Sequence, residues 1–137
     1  MWKGVDVDSV IEQIKGWELK FENEFPIGSG LGSSASFSVS FSGALYCIFM
    51  KTEFESPMLN EIDYKRIKEL ADEGEMIAHG KRASGIDTTT CLLGGAIKYK
   101  LNDSGPEYDR VQINQFYFDV FSTKIERNTG VSVFGIA

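Results

Sequence analysis

The first part of the chain carries two short hydrophobic patterns of different period. Between positions 7 and 14 apolar residues recur three or four positions apart, and Asp8 is a residue type that often caps a helix. This pattern predicts a short amphipathic helix that ends at Gly16. From 17 to 22 large apolar residues alternate with charged ones, which predicts a strand with one face in water. Pro26 ends that strand because proline has no N–H to pair.

A much longer apolar segment follows, from Ser34 to about Met50. Nearly all of its residues are small or apolar, which is typical of a helix that other elements enclose on most sides. Serine and glycine lower its intrinsic helix propensity, so tertiary packing has to hold it. The sequence therefore predicts a buried helix. The residues from 54 to 60, which include Pro57, are predicted to form a loop.

A second long helix is predicted from about Asn60 or Glu61 to Ala78. Residues spaced three or four positions apart would share one face of it: Tyr64, Ile67, Ala71, Glu75 and Ala78. Glu75 is unusual there, because a carboxylate removed from water needs a cation or hydrogen-bond donors. The alternative places Glu75 at the edge of the stripe with its carboxylate in water. His79, the only histidine, is predicted to interact with the helix end without a catalytic role.

The last part of the sequence alternates between turns and predicted strands. Residues 84–90 are predicted to form a loop rich in hydroxyl groups, and it contains Asp87, a residue type that commonly caps turns. After a glycine pair, alternation predicts a strand over 96–101 and a turn over 102–106. A further strand, rich in aromatic residues, is predicted over 114–122, where the rings would belong to the core of a sheet.

Composition limits the classes of function that the protein can have. The chain has 137 residues, of which 42% are hydrophobic and 25% charged, as in a folded globular protein. The formal net charge of −6 argues against nucleic acid or an anionic membrane surface as the main partner. Cys47 and Cys91 lack a metal-ligand spacing and are predicted to be reduced core residues. Without a transmembrane run or signal-peptide pattern, a cytoplasmic location is expected.

The glycine-rich turn before the long apolar helix is the candidate ligand site. Gly28, Gly30 and Gly32 let the backbone approach a ligand closely. Ser33 and Ser34 stand where the helix begins, and the positive end of a helix dipole favours an anion such as phosphate. The alternative is a flexible glycine-serine loop. A Walker A loop is excluded because no lysine follows the last glycine, and the glycine spacing of a Rossmann fold is absent.

Three ordered motifs resemble those of the GHMP small-molecule kinases. Pro-Ile-Gly-Ser-Gly-Leu-Gly-Ser-Ser-Ala-Ser at 26–36 is similar to the family's Pro-x-x-x-Gly-Leu-Gly-Ser-Ser-Ala motif. A His-Gly pair, Ser-Gly-Ile-Asp and Gly-Gly, all within 79–95, resemble a segment of the mevalonate kinase branch. Thr-Lys-Ile-Glu-Arg-Asn-Thr at 123–129 resembles that branch's Thr-Lys-Val-Pro-Arg-Asn-Thr. The sequence departs from the branch at Lys-Arg-Ala in 81–83, which is one residue longer, and at Glu126 in place of proline.

The resemblance implies ATP-dependent phosphorylation of mevalonate, with Mg²⁺ as the cofactor and with ATP and mevalonate as ligands. It implies that Ser34 and Glu75 bind the metal and that Asp87 is the catalytic aspartate, which accepts or orients the proton of the attacking hydroxyl. Arg127 and Thr129 correspond to residues at the carboxylate end of the substrate. The residues implied to bind the ATP phosphates are Gly28, Ser29, Gly30, Leu31, Gly32, Ser33, Ser34 and Ala35.

The fold that the resemblance implies is the α+β fold of the GHMP kinase N-terminal domain, a mixed sheet with helices packed on one side. Residues 1–115 are expected to form an incomplete N-terminal, ATP-binding domain, and residues 116–137 the start of the C-terminal domain. Members of the branch also carry a lysine-bearing strand before this region and most of a second domain after it. We therefore expect the chain alone to have little or no kinase activity.

Other interpretations stay open on the sequence alone. Another kinase of the family, acting on phosphomevalonate or homoserine, would share the glycine-rich turn, although the motif at 123–129 favours mevalonate. A truncated, non-catalytic product that binds nucleotide or pairs with a full-length enzyme is a second interpretation, and a fragment that does not fold stably is a third. Homodimer formation and peroxisomal import are not decided by the sequence.

Overall fold

The computed structural model describes residues 6–24, 27, 30–50, 59–79, 84–115, 117 and 119–121, and this part of the chain forms helices and an antiparallel sheet. The elements are α1 (Val7–Ile14), α2 (Ser33–Met50), α3 (Glu61–Ala78), α4 (Ile86–Leu93), β1 (Ala96–Asn102) and β2 (Gly105–Val111). The predicted α+β class is confirmed, and α1, α2, α3 and β1 lie where their hydrophobic patterns predict. No helix of the described residues is long and apolar enough to cross a membrane.

Helices α2 and α3 pack side by side, and α4 packs against both. The buried apolar residues are Ala35 and Tyr46 of α2 and Ile67 and Ala71 of α3. Each of the two helices contributes a fully buried alanine, which keeps part of this core small. The Tyr46 hydroxyl donates to Asp63 Oδ1 at 2.8 Å across this interface, so the buried carboxylate has a partner. The core therefore combines a small apolar contact with a polar one.

The buried face of α3 is shifted by one position at its start relative to the predicted stripe. Its buried residues are Asp63, Ile67, Ala71 and Glu75. Tyr64 and Ala78, both members of the predicted stripe, are exposed. A capping box explains the inward position of Asp63: its carboxylate accepts from Asn60 N–H at 2.9 Å, while Asn60 Oδ1 accepts from Asp63 N–H at 3.0 Å.

Residues 17–23 lie against α2 and not in a sheet. The Trp17 ring stacks on Phe49 with centroids 6.1 Å apart, and the Phe21 ring lies 4.7 Å from that of Phe37. The strand predicted here is wrong, because within the described residues β1 and β2 pair only with each other. Phe37 is 48% exposed, so α2 is also less enclosed than its composition predicts. The alternating pattern correctly predicted an apolar face at 17–21, but this face packs against helix α2 and not against a sheet.

Two of the helices begin differently from prediction. Asp6, and not Asp8, is the N-cap of α1, and its side chain accepts from the Asp8 N–H at 3.2 Å. Helix α4 starts inside the segment predicted to be a loop over 84–90. Gly85 is its N-cap, with a left-handed φ of 75° that turns the chain sharply into the helix. Asp87 therefore lies in a first helical turn and not in a loop.

The sheet also differs from prediction. Strand β2 begins at Gly105, inside the predicted turn over 102–106, and pairs antiparallel with β1 so that Tyr99 lies opposite Tyr108. The predicted mixed sheet is antiparallel in the described part of the chain. The described residues within 114–122 do not form the predicted strand. Within the predicted loop over 54–60, residues 54–58 lie outside the described part.

Replacing Ile67 with alanine should destabilise the domain strongly. Ile67 is 1% exposed between α2 and α3, and truncation of a buried aliphatic side chain costs about 2–5 kcal/mol because a cavity remains. Ile77→Ala is the matched control, since Ile77 lies on the same helix and is 85% exposed; it should change stability by no more than about 0.5 kcal/mol. Urea denaturation followed by circular dichroism measures both, and equal losses would contradict the packing.

Gly32→Ala and Gly43→Ala should change stability in opposite directions. Gly32 has a φ of +75°, and an added Cβ would meet nothing closer than Cys91 Sγ at 4.0 Å, so the cost is the left-handed backbone, about 1–2 kcal/mol. Gly43 lies inside α2, where the Cβ would lie 3.9 Å from Ile67 Cγ2, an ordinary contact. Alanine should stabilise this position by about 0.5–1 kcal/mol. A change of the same sign in both denaturation midpoints would count against these conformations.

Candidate functional site

The turn that leads into α2 has backbone conformations that favour glycine. Gly30 and Gly32 have positive φ angles of 78° and 75°. The Ser36 N–H donates to Gly32 O at 2.9 Å and closes the first turn of the helix. Ser33 and Ser34 occupy this first turn, as predicted. The positive dipole end of α2 therefore faces the glycine-rich turn, where an anion would be stabilised.

Glu75 is a carboxylate buried between α2 and α3, and α2 supplies hydrogen bonds to both of its oxygens. Only 5% of Glu75 is exposed. Ser34 Oγ donates to Oε2 at 3.1 Å, and Ser38 Oγ donates to Oε1 at 2.9 Å. The two serines are four positions apart, so both hydroxyls project from the same face of α2. These bonds offset the cost of removing the carboxylate from water, and Glu75 is therefore a buried member of the α3 face.

His79 joins the same cluster from the end of α3. Its Nε2 lies 3.1 Å from Ser34 Oγ and 3.3 Å from Glu75 Oε2. The Ser34 hydroxyl has one proton and donates it to Glu75, so in its contact with His79 it accepts from Nε2–H. His79 is also the C-cap of α3, and its N–H donates to Glu75 O at 2.9 Å. The predicted interaction with the helix end is present, whereas the contact with Ser34 was not anticipated.

Ser34 Oγ and Glu75 Oε2 suit a small, hard cation. Mg²⁺ prefers oxygen ligands at about 2.0–2.1 Å in an octahedron, whose neighbouring oxygens are about 2.9 Å apart. The two side-chain oxygens are 3.1 Å apart. Ser34 is exposed although Glu75 is buried, so the pair can be reached from the surface. Within the described ranges, no cluster of three or more His, Cys, Asp or Glu residues is arranged to hold a metal.

Asp87 lies in the first turn of α4 and is exposed. Cys91, one turn further along α4, shows how close this helix lies to the other predicted parts of the site. Its Sγ is 4.0 Å from the position of a Cβ built on Gly32. Cys91 is exposed, so the prediction that it is a core residue is wrong. Desolvation still raises the pKa of its thiol, and the charges of Asp87 and then Glu75 raise it further. The thiol therefore stays protonated, and it lies close to Gly32 and one helical turn after Asp87 on α4.

The described residues include only part of the predicted site. Those that the structure places are Gly30, Leu31, Gly32, Ser33, Ser34, Ala35, Glu75 and Asp87. Those that lie outside the described residues are Gly28, Ser29, Arg127 and Thr129, together with residues 81–83 and Glu126. Ser38 and His79 are the contacts that sequence reasoning missed. The available signal was their spacing, four positions after Ser34 and Glu75 respectively, which places each pair on one helix face.

Comparison with known proteins gives a family and several named relatives. The family model described as GHMP kinases N terminal domain matches residues 4–95. The mevalonate kinase of Arabidopsis thaliana is 37% identical over 119 residues, which cover 84% of this chain and 30% of that protein. The mevalonate kinase of Candida albicans is 31% identical over 138 residues, which cover 90% of this chain and 31% of that protein. The mevalonate kinase of Archaeoglobus fulgidus is 40% identical over 86 residues, which cover 63% of this chain and 27% of that protein.

The matches cover most of this chain but only a part of each relative. The chain spans about 30% of the length of these curated relatives. No solved structure matches the chain significantly. The family model covers the glycine turn, Glu75 and Asp87, and so every part of the site that the structure places. On this match, and with an α+β architecture, the chain belongs to the GHMP kinases and carries the N-terminal domain of that family.

Proposed function

We propose that the chain takes part in the ATP-dependent phosphorylation of mevalonate to 5-phosphomevalonate, as part of a mevalonate kinase. The observation that carries the proposal is the pair of Ser34 and Glu75 oxygens, 3.1 Å apart at the start of α2 beside the glycine turn. Phosphoryl transfer needs a phosphate cradle and a metal-binding oxygen pair in one place. The relatives named mevalonate kinase support the choice of acceptor.

Each proposed role follows from the chemistry of the residue. The turn from Gly28 to Ala35 would hold the ATP phosphates through its N–H groups and the dipole of α2. Ser34 and Glu75 would hold Mg²⁺, which when bound neutralises negative charge on the phosphates. Asp87, exposed at the start of α4, would accept or orient the proton of the attacking hydroxyl. Arg127 would bind the mevalonate carboxylate through two N–H groups, and Thr129 would bind the same end of the substrate.

The environment of the site supports a positioning mechanism. Phosphoryl transfer depends mainly on orientation and on stabilisation of charge. The hydrogen bonds from Ser34 and Ser38 fix the Glu75 carboxylate before any ligand binds. Because its pKa is raised, the Cys91 thiol stays neutral and adds no negative charge close to the phosphates.

We also propose that residues 1–115 belong to one domain and residues 116–137 to a second one. The proposed compartment of the protein is the cytoplasm.

Asp87→Asn should abolish most of the transfer of phosphate to mevalonate. Loss of a positioned acid–base group costs about a hundredfold or more, whereas affinity for Mg-ATP should be unchanged because Asp87 is not assigned to nucleotide binding. Transfer is measured with γ-labelled ATP, and we expect the unmodified chain to be slower than the usual range of about 1–1000 per second. Asp103→Asn, an exposed aspartate in the β1–β2 turn, is the matched control.

The choice of acceptor separates this proposal from its alternatives. Homoserine and phosphomevalonate should receive no label under conditions in which mevalonate does. Preferred transfer to either of them would identify another kinase activity within the family. ATP binding without transfer to any acceptor would instead indicate a non-catalytic, nucleotide-binding product. Preferred transfer to homoserine or phosphomevalonate contradicts the proposed function, as does full activity in Asp87→Asn.

A further inference from the structure

The start of α4 is enclosed by polar side chains that the Glu75 cluster does not use. Gly85 is the N-cap of α4 and offers no side chain to cap it. A Cβ built on Gly85 would lie 3.3 Å from Lys68 Nζ, 3.5 Å from the Tyr99 hydroxyl and 3.6 Å from Asp72 Oδ1. Groups from α3 and β1 therefore converge on the residue that determines where α4 begins.

Asp72 is the centre of this arrangement. Lys68 Nζ donates to Asp72 Oδ2 at 2.5 Å, and Thr88 Oγ1 donates to Asp72 Oδ1. The side chains of Lys68 and Asp72 are 19% and 27% exposed, and Thr88 is 1% exposed. Hydrogen bonds that involve a charged group and are partly shielded from water are stronger than those at an open surface. The Asp72 carboxylate therefore ties α3 to the first turn of α4.

The carbonyl groups of the turn at 84–85 are held as well. The Tyr99 hydroxyl of β1 donates to Ser84 O at 2.5 Å. Burial, and then the charge of Asp72, raise the pKa of Tyr99, so this hydroxyl keeps its proton. Thr89 Oγ1 donates to Gly85 O at 2.6 Å, and the Thr89 N–H donates to the same carbonyl at 3.0 Å. The turn is therefore fixed by contacts from α3, α4 and β1 together.

The position of Asp87 depends on this turn. Asp87 lies between Gly85 and Thr88 in the chain, in the first turn of α4. In the described part of the chain, no hydrogen bond or ion pair holds its carboxylate. Its direction is then set mainly by the backbone of α4. A misplacement of about 1 Å at a reacting group can cost about a hundredfold in rate, so the contacts that fix this turn bear directly on the chemistry.

We propose that Lys68, Asp72 and Thr88 form a clamp that fixes the first turn of α4, and that Asp72 thereby positions Asp87 for phosphoryl transfer. The fixing of α4 is a property of the fold, whereas the positioning of Asp87 rests on the proposed function. Lys68 neutralises Asp72, so the carboxylate can reach Thr88 without leaving an unpaired charge at the site. The three clamp residues are positioning residues and are not assigned any contact with substrate.

Amide hydrogen exchange of the purified chain tests whether the clamp fixes α4. Thr88→Val keeps the side-chain shape without the hydroxyl, and Asp72→Asn removes the charge. In both variants the Thr89 amide should exchange at least about tenfold faster, while the amide of His79, the C-cap of α3, keeps its rate. Thr88→Ser restores the hydroxyl and should restore slow exchange. Glu69→Gln removes a half-exposed carboxylate from the same helix and is the control.

Transfer of labelled phosphate to mevalonate tests the positioning of Asp87. Rates are expressed per titrated ATP-binding site, so loss of folded protein does not affect them. Asp72→Asn and Thr88→Val should lower kcat by about tenfold to a hundredfold. The KM for ATP should stay within about twofold of the unmodified value, since the clamp does not touch the phosphate turn. Thr88→Ser should recover most of kcat, and Glu69→Gln should lose none.

The outcomes separate the clamp from the proposed function. Thr89 exchange at the unmodified rate in both variants overturns the clamp. Fast exchange with undiminished kcat per site overturns the positioning role of Asp72. An unmodified chain whose slow transfer goes to homoserine or phosphomevalonate in preference to mevalonate overturns the proposed function, and with it the positioning of Asp87 for that reaction. In that case the exchange rates still decide whether the clamp fixes α4.

Discussion

The buried carboxylate of Glu75 is the constraint on which the rest of the described structure depends. A carboxylate without partners in a protein interior costs several kcal/mol, and here Ser34 and Ser38 supply the donors from the first turns of α2. These bonds fix α2 against α3 at the end where the glycine turn begins. Asp72, on the same helix α3, also holds the start of α4 through Thr88. Helix α3 therefore contacts both the helix that follows the phosphate turn and the helix that carries Asp87.

The elements that could be predicted from the sequence are those with a hydrophobic pattern of their own, which is periodic in α1, α3 and β1 and nearly continuous in α2. Helix α4 could not be, because consecutive threonines have low helix propensity. Contacts with residues distant in sequence stabilise these threonines in the helix, above all the hydrogen bond that Thr88 donates to Asp72. Strand β2 begins with Gly105 and Pro106, which favour a turn, and pairing with β1 overrides that preference. The apolar face at 17–21 was predictable from its alternation, but its packing against α2 was not.

The candidate site was predictable in its motif residues and not in its supporting ones. Ser34 and Glu75 followed from the resemblance to the family, although 41 positions separate them and no local pattern reports their contact. Ser38 and His79 carry no motif, and only their position one helical turn from a site residue could have indicated them. Hydrogen bonds between helices, such as these, depend on how α2 and α3 pack, and a single sequence does not report that packing.

Calorimetric titration of the purified chain with ATP, with and without Mg²⁺, tests most directly whether Ser34 and Glu75 form a metal-assisted phosphate site. We expect magnesium-dependent binding that weakens at least about tenfold, or about 1.4 kcal/mol, in Ser34→Ala and in Glu75→Gln, each shown by circular dichroism to be folded. Ser40→Ala and Glu69→Gln, exposed positions on the same two helices, should bind like the unmodified chain. Binding independent of Mg²⁺, or unchanged in both site variants, would contradict the account.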